Sequence, residues 1–231
     1  MTVFSWHGDV DTMMSPYDSM AYIKKVLMAG FIAVQRASGH VKAWVGGINR
    51  KHFKYDHVNR RARRQVGSTF KPIVYATAID INQMTPCTEF PRERTTFFSG
   101  GQEWSPRNAD GKSGGVWTMS RGLAQSDNLI TAQVMKSLGD DAPDIVVKFA
   151  ERVGIEANRI PKVPSICLGT MELSPFEMAS AYSAFANNGL WVEPTFLLRI
   201  EDKNGNILED FNQPKTDQVL SAEKAYMMFR M

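Results

Sequence analysis

The chain has 231 residues and a mass of 25.9 kDa, enough for one large domain or two small ones with a real core. Hydrophobic residues make up 43% and charged residues 22%, with 17 glycines and 11 prolines, which excludes a disordered tail, a collagen-like repeat and a low-complexity linker. The net charge of +3 says little about partners.

In chain order, Met1-Thr-Val-Phe-Ser-Trp-His7 has neither a basic leader nor an apolar run, so no signal peptide is expected there. Ser15-Pro16-Tyr17-Asp18 has a capping serine, a proline at the first helical position and an acid in the first turn, which predicts a helix running to about Ala29 and stopping at Gly30. The longest apolar stretch, Val26–Val34, has nine residues, about half a membrane span. Phe31–Gln35 and Val41–Gly46 read as an antiparallel hairpin. From Arg50 to Arg64 there are seven basic residues against one acid, Asp56, giving +6 locally and −3 for the rest. That window reads as a solvated loop whose arginines pair with nearby acids. A nucleic-acid patch is the alternative and ranks last, because no nucleic-acid module surrounds it.

Gly67 precedes a helical stretch over about 68–81, and residues 82–117 read as loop-rich. A helical pattern resumes at Thr118, breaks near Ser126 and continues to Leu138; a further amphipathic helix is expected over Pro143–Val153. Ser174-Pro175-Phe176-Glu177 is a capping box opening a helix that ends at Asn187-Asn188-Gly189. Thr195–Asp202 and Ile207–Phe211 flank Asn204-Gly205, a hairpin turn, and Ser221 opens a last helix. The two cysteines, Cys87 and Cys167, leave the redox compartment undecided.

Ser68-Thr69-Phe70-Lys71 fits S-x-x-K. Three residues apart on a helix, the Lys71 amine is expected to reach the Ser68 hydroxyl and, if held neutral by burial, to take its proton. The motif alone carries nothing. Sixteen serines and thirteen lysines give about one match by chance, and Ser221-Ala-Glu-Lys224 is a second, read as a plain helix cap. Company lifts Ser68 above it. Ser126-Asp127-Asn128 is the only S-x-N in the chain and sits where the helical pattern breaks, which would expose a hydroxyl to relay a proton and an amide to hold a substrate carbonyl. Turn chemistry is the plainer reading of both residues.

S-x-x-K with S-D-N belongs to penicillin-binding proteins and class A β-lactamases. Gly67-Ser-Thr-Phe-Lys-Pro72 resembles the active-site segment of class A penicillin-binding proteins. Gly39–Gly47, Trp104–Asn108, Gly122–Asn128 and Leu168–Ala179 resemble further segments of that family, in order. Met1–Trp6 and Lys51–Asp56 resemble its forms from the Bacteroides-like group. The resemblance implies an α+β, β-lactamase-like serine acyl-enzyme fold, with helices packed on an antiparallel sheet. It also implies a peptidoglycan D,D-transpeptidase with Ser68 as nucleophile, Lys71 as base, Ser126 as proton relay, Asn128 as substrate-orienting amide and the Ser68 N–H as oxyanion donor. Stem peptides would be the substrates and β-lactams the inhibitors, with no cofactor, no metal and no nucleic acid. A β-lactamase is the distant alternative, because none of Glu151, Glu156 and Glu172 begins the E-x-x-L-N pattern of the deacylating base. A catalytically inactive homologue acting as a cell-wall scaffold or sensor is the other.

No K-T-G occurs. Lys112-Ser113-Gly114 reads K-S-G but precedes Ser126, whereas the family's third motif follows the second, so it is taken as a loop coincidence. The expectation is therefore a fragment. Residues 1–30 would be a lead-in segment and 31–231 a transpeptidase domain lacking its last strands and K-T-G, from a bifunctional, membrane-anchored parent with a glycosyltransferase half at the periplasmic face, within a cell-wall synthesis complex.

Overall fold

The computed structural model describes residues 1–211 and 213–231. Seven α-helices are described: α1 (Pro16–Lys24), α2 (Lys71–Ile81), α3 (Met119–Ala124), α4 (Asn128–Ser137), α5 (Ala142–Arg152), α6 (Pro175–Ala186) and α7 (Ala222–Arg230). Among the described residues the strands form only separate two-stranded antiparallel pairs, so the architecture is α+β with the helices dominant. None of these helices is long and apolar enough to cross a membrane.

The core is organised around α2. Its run Ile73-Val-Tyr-Ala-Thr-Ala-Ile79 is buried all round, as an apolar helix without a polar face must be. α4, α5 and α7 pack against it. α5 buries Val146, Val147, Phe149 and Ala150 and turns Lys148 and Glu151 to solvent. α7 is tied to α2 by Lys224, whose Nζ donates to Asp80 Oδ1 at 2.8 Å and to Asp80 O at 2.9 Å.

Several local readings are met. Ser174 and Glu177 form the capping box of α6, with Ser174 N–H donating to Glu177 Oε2 at 2.9 Å. Phe31–Val34 and Val41–Val45 pair as an antiparallel hairpin, which packs on α6. Arg199–Glu201 and Ile207–Asp210 pair around Asn204-Gly205. That ribbon is shorter than expected because Thr195 is drawn away: its N–H donates to Gly39 O at 3.0 Å and its carbonyl accepts from Val41 N–H at 2.9 Å.

Three expectations need correction. Helix α1 stops at Lys24, and Gly30 caps nothing. A Cβ on Gly30 would lie 2.8 Å from Val58 Cγ2, so glycine there serves a close approach to the loop after residue 50. The segment 82–117 contains ribbons that its glycines and prolines hid: Glu89–Pro91 pairs with Val116–Thr118, and Phe97–Ser99 with Gln102–Trp104. Finally, the basic window does not neutralise itself. Of its seven basic residues only Lys51 meets a carboxylate among the described residues, that of Asp9. Arg60 instead lies 5.0 Å over the Phe176 ring, and Asp56 accepts from Trp44 Nε1 at 2.9 Å and Val58 N–H at 2.8 Å.

Candidate active site

Ser68 does not lie on α2. It sits on a 3₁₀ turn, Gly67–Phe70, that leads into the helix, and it is exposed. Contacts from far along the chain fix this turn. Arg64–Gln65 pairs antiparallel with Glu172–Leu173, Val66 N–H donates to Met171 O at 3.1 Å, and Gly67 N–H donates to Gly169 O at 2.9 Å. The two backbones meet so closely that a Cβ on Gly169 would stand 1.9 Å from Gly67 O. Both glycines have positive φ, +53° and +70°, which a side chain would resist. Tyr182 of α6 adds a third tie, donating its hydroxyl to Thr69 O at 2.5 Å.

Lys71, the first residue of α2, is fully buried. Its Nζ donates to Ser126 O at 2.6 Å, to Asn128 Oδ1 at 2.8 Å and to Ser126 Oγ at 3.2 Å. The three ammonium hydrogens are thus matched by three oxygens, none of them ionised. Burial pulls the amine down from 10.5 to about 8, against an opposing pull from the Asp127 carboxylate and a smaller one from Cys167. The Cys167 thiol, itself buried, is pushed up to about 12 by desolvation.

The structure therefore gathers Lys71, Ser126 and Asn128 but does not pair Lys71 with Ser68 as the helical spacing suggested. Among the described residues no hydrogen bond joins Nζ to Ser68 Oγ. The reason is local: the serine is on a 3₁₀ turn, and the amine's three donors are already engaged across the site. Asn128 is also more committed than expected, its Oδ1 accepting from Lys71 and its Nδ2 donating to Arg107 O at 2.9 Å.

The turn carrying Ser126 and Asn128 joins α3 to α4 and is built around Asp127. Its side chain caps α4 by accepting from Ile130 N–H at 2.9 Å, while Oδ2 accepts from Arg92 Nε at 2.6 Å and Asn108 Nδ2 at 2.8 Å. Asn108 Oδ1 in turn accepts from Asn128 N–H at 2.8 Å. These bonds hold Ser126 at φ +51°, a backbone region that costs a non-glycine residue about 1–3 kcal/mol. Sequence reasoning left Arg92, Asn108, Asp127, Gly169 and Tyr182 without a chemical role. Only Asp127 had a local signal, as an N-cap residue ahead of a helical run.

Ser68, Lys71 and Ser126 line one cleft of about 520 Å³ with Leu123, Tyr182 and Phe185, while Met228 and Phe229 of α7 form its far side. A larger groove of about 970 Å³, between residues 23–30 and Arg63–Thr69, includes none of the four candidate residues. Lys112-Ser-Gly114 is an exposed coil that does not line the cleft, its Lys112 carbonyl accepting from Asn108 Nδ2 at 3.0 Å. Both cysteines are free, and among the described residues no three His, Cys, Asp or Glu side chains converge as a metal would require.

Comparison with known proteins identifies the family and the fold. Residues 29–231 match the penicillin-binding protein transpeptidase domain, and residues 1–27 match the penicillin-binding protein middle domain. The chain is 34% identical to penicillin-binding protein 1A of Vibrio cholerae over 77% of its own length and 21% of the relative's. It is 36% identical to penicillin-binding protein 2D of Bacillus subtilis over 89% of its length and 29% of that protein's. The chain thus spans less than a third of these relatives' length. The fold is similar to that of penicillin-binding protein 1A from Haemophilus influenzae, with a TM-score of 0.74 at 24% identity, covering 87% of this chain and 34% of that one. It is also similar to PonA1 from Mycobacterium tuberculosis in complex with penicillin V, with a TM-score of 0.70 at 23% identity, covering 86% and 53%. With a domain match across most of its length, the chain belongs to the penicillin-binding protein transpeptidase family.

Proposed function

We propose that this chain carries the nucleophile and base of a peptidoglycan D,D-transpeptidase that works through an acyl-serine. The observation that carries the reading is a buried lysine amine set among three neutral oxygens and opening onto the same cleft as Ser68. With its pKa near 8, roughly a tenth of Lys71 is free amine at pH 7. That amine takes the Ser68 proton, directly or through Ser126 Oγ, as Ser68 attacks the penultimate D-Ala carbonyl of a stem peptide. The Ser68 N–H supports the oxyanion; its neighbours are committed elsewhere, Gly67 N–H to Gly169 O and Thr69 N–H to Val66 O. Terminal D-Ala leaves with a proton returned through Ser126, and the amine of a second stem peptide then attacks the acyl-serine to form the cross-link. Asn128 orients both the lysine and the substrate. β-Lactams acylate Ser68 in place of the stem peptide, in keeping with the penicillin V complex of PonA1.

On the same reading, residues 1–30 lead into a transpeptidase domain over 31–231, and the K-T-G strand with the second oxyanion donor lies outside these residues. Loss of one such donor costs about 10²–10³ in rate, so the 231 residues alone acylate weakly. At its relatives' length the protein is a membrane-anchored synthase with a glycosyltransferase half, acting at the periplasmic face. The test is release of D-Ala from a stem peptide ending in D-Ala-D-Ala, measured on protein produced at that length. Turnover is expected to fall about 10³-fold or more in Ser68→Ala. Undiminished turnover in Ser68→Ala, or a wild-type protein that binds the peptide without releasing D-Ala, contradicts the reading.

A further inference from the structure

Among the described residues only two cationic side chains are buried, Lys71 and Arg92, and the chemistry above leaves Arg92 unused. Arg92 follows the Glu89–Pro91 strand and is held by backbone bonds on both sides, its N–H donating to Gly115 O at 2.8 Å and its carbonyl accepting from Gly114 N–H at 2.7 Å. Its guanidinium stacks 4.3 Å from the Trp117 ring, which also carries the Arg121 guanidinium at 4.0 Å. Its Nε donates to Asp127 Oδ2 at 2.6 Å. A loop cation is thereby carried into the interior and set against the one carboxylate of the S-D-N turn.

We propose that Arg92 is a positioning residue for the lysine base: it fixes Asp127, and with it the Ser126–Asn128 turn, and it offsets the carboxylate charge that otherwise falls in full on the Lys71 amine. The inference rests on the reading of Lys71 as the base. The mechanical half follows from the bond chain. Arg92 and Asn108 share Asp127 Oδ2, and Asn108 Oδ1 takes the Asn128 N–H. The two residues on either side of Asp127 supply every oxygen that Lys71 meets.

The electrostatic half follows from what faces Lys71. From the α3–α4 turn come the neutral oxygens of Ser126 and Asn128 and the Asp127 carboxylate. From the 3₁₀ turn Pro164–Leu168 comes the Cys167 thiol. Burial keeps that thiol protonated at neutral pH, so Asp127 is the anion in this set. An unpaired anion beside a buried amine keeps it protonated, which would spoil a base; a guanidinium hydrogen-bonded to that anion opposes this pull, part of which Asp127 still exerts on Lys71.

A charge cycle tests this on the 231-residue chain. Lysine side chains are labelled with ¹³C and ¹⁵N, Lys71 is assigned by its loss in Lys71→Arg, and its titration is followed by NMR in Arg92→Met, Arg92→Lys, Asp127→Asn and the Arg92→Met/Asp127→Asn double variant. Circular dichroism confirms folding of each. Arg92→Met is expected to raise the Lys71 midpoint by about one pH unit and Arg92→Lys to leave it near wild type. Asp127→Asn, which leaves the guanidinium alone, is expected to lower it, and the double variant to return it to near the wild-type value. A purely structural Arg92 would instead disturb the single and the double variant alike. A folded Arg92→Met with an unchanged midpoint overturns the proposal. Should Arg92→Met fail to fold, Asp127→Asn against the double variant reads the same charge, and equal midpoints there overturn it. The titration does not require acylation, so loss of penicillin labelling with an intact cycle would sink the transpeptidase reading and leave this one standing.

Discussion

The chain contains S-x-x-K twice, and the two copies are put to opposite uses. Ser221 is an N-cap: its Oγ accepts from Lys224 N–H at 3.3 Å, and Lys224 reaches back to the carboxylate of Asp80. That lysine is an ionic tie between two helices, with its charge satisfied by an opposite charge. Ser68 caps nothing and stands exposed in a cleft, while Lys71 is buried against oxygens that carry no formal charge. Spacing is identical in the two segments. What differs is the partner of the amine: Lys224 meets a carboxylate, whereas burial among neutral acceptors brings Lys71 toward the free base. The backbone differs in the same sense. The Ser221 turn is tied one residue earlier, where Leu220 N–H donates to Gly189 O at 3.3 Å, but the Ser68 turn is clamped directly by a strand more than a hundred residues away.

The sharpest way to break this contrast is to remove each lysine in turn. Lys71→Met is expected to lower the acylation rate of protein at its relatives' length about 10³-fold or more, measured with a fluorescent penicillin, whereas Lys224→Met leaves that rate unchanged and lowers stability by about 1 kcal/mol. Wild-type acylation should rise about tenfold from pH 7 to well above pH 8, following the free-amine fraction of a group with pKa near 8. The sign for stability follows from the same shift. The folded chain releases the Lys71 proton near pH 8 and the unfolded chain near 10.5, so between those values the unfolded state binds more protons and stability climbs with pH. Lys71→Met should lack that climb in denaturant titrations across the window.

Next in size is the clamp. Gly169→Ala places a Cβ 1.9 Å from the Gly67 carbonyl oxygen at a residue with φ +70°, and is expected to cost more than about 3 kcal/mol in urea unfolding. An alanine tolerated there with less than about 1 kcal/mol lost would mean the Ser68 turn is not held as described. The smallest effect belongs to the other motif: Ser221→Ala removes a cap and should cost about 1 kcal/mol, again with acylation untouched.

Much of this was legible in the sequence where the determinants are local. The caps at Ser15, Ser174 and Ser221 and the Asn204-Gly205 hairpin depend on residues within a turn of one another. The pair of motifs, Ser68 with Lys71 and Ser126 with Asn128, stood out by co-occurrence. The sequence could not reveal where the Lys71 amine points, because its acceptors lie 55 and 57 residues away and a helical wheel sees only Ser68. The Gly67–Gly169 approach and the Arg92–Asp127 pair were hidden for the same reason. Helix α1 ends short of the expected Gly30 stop: a glycine after a helical start reads as a C-cap, while Gly30 is instead used for its close approach to Val58.

The central claim, that environment and not spacing selects the nucleophile, is tested most directly by mapping the adduct. Protein at its relatives' length is incubated with penicillin, digested, and its modified peptide sequenced by mass spectrometry. The expected result is one acyl adduct on Ser68 that disappears in Ser68→Ala, with the peptide containing Ser221 unmodified. An adduct on Ser221 or any other residue, or labelling undiminished in Ser68→Ala, would contradict the account.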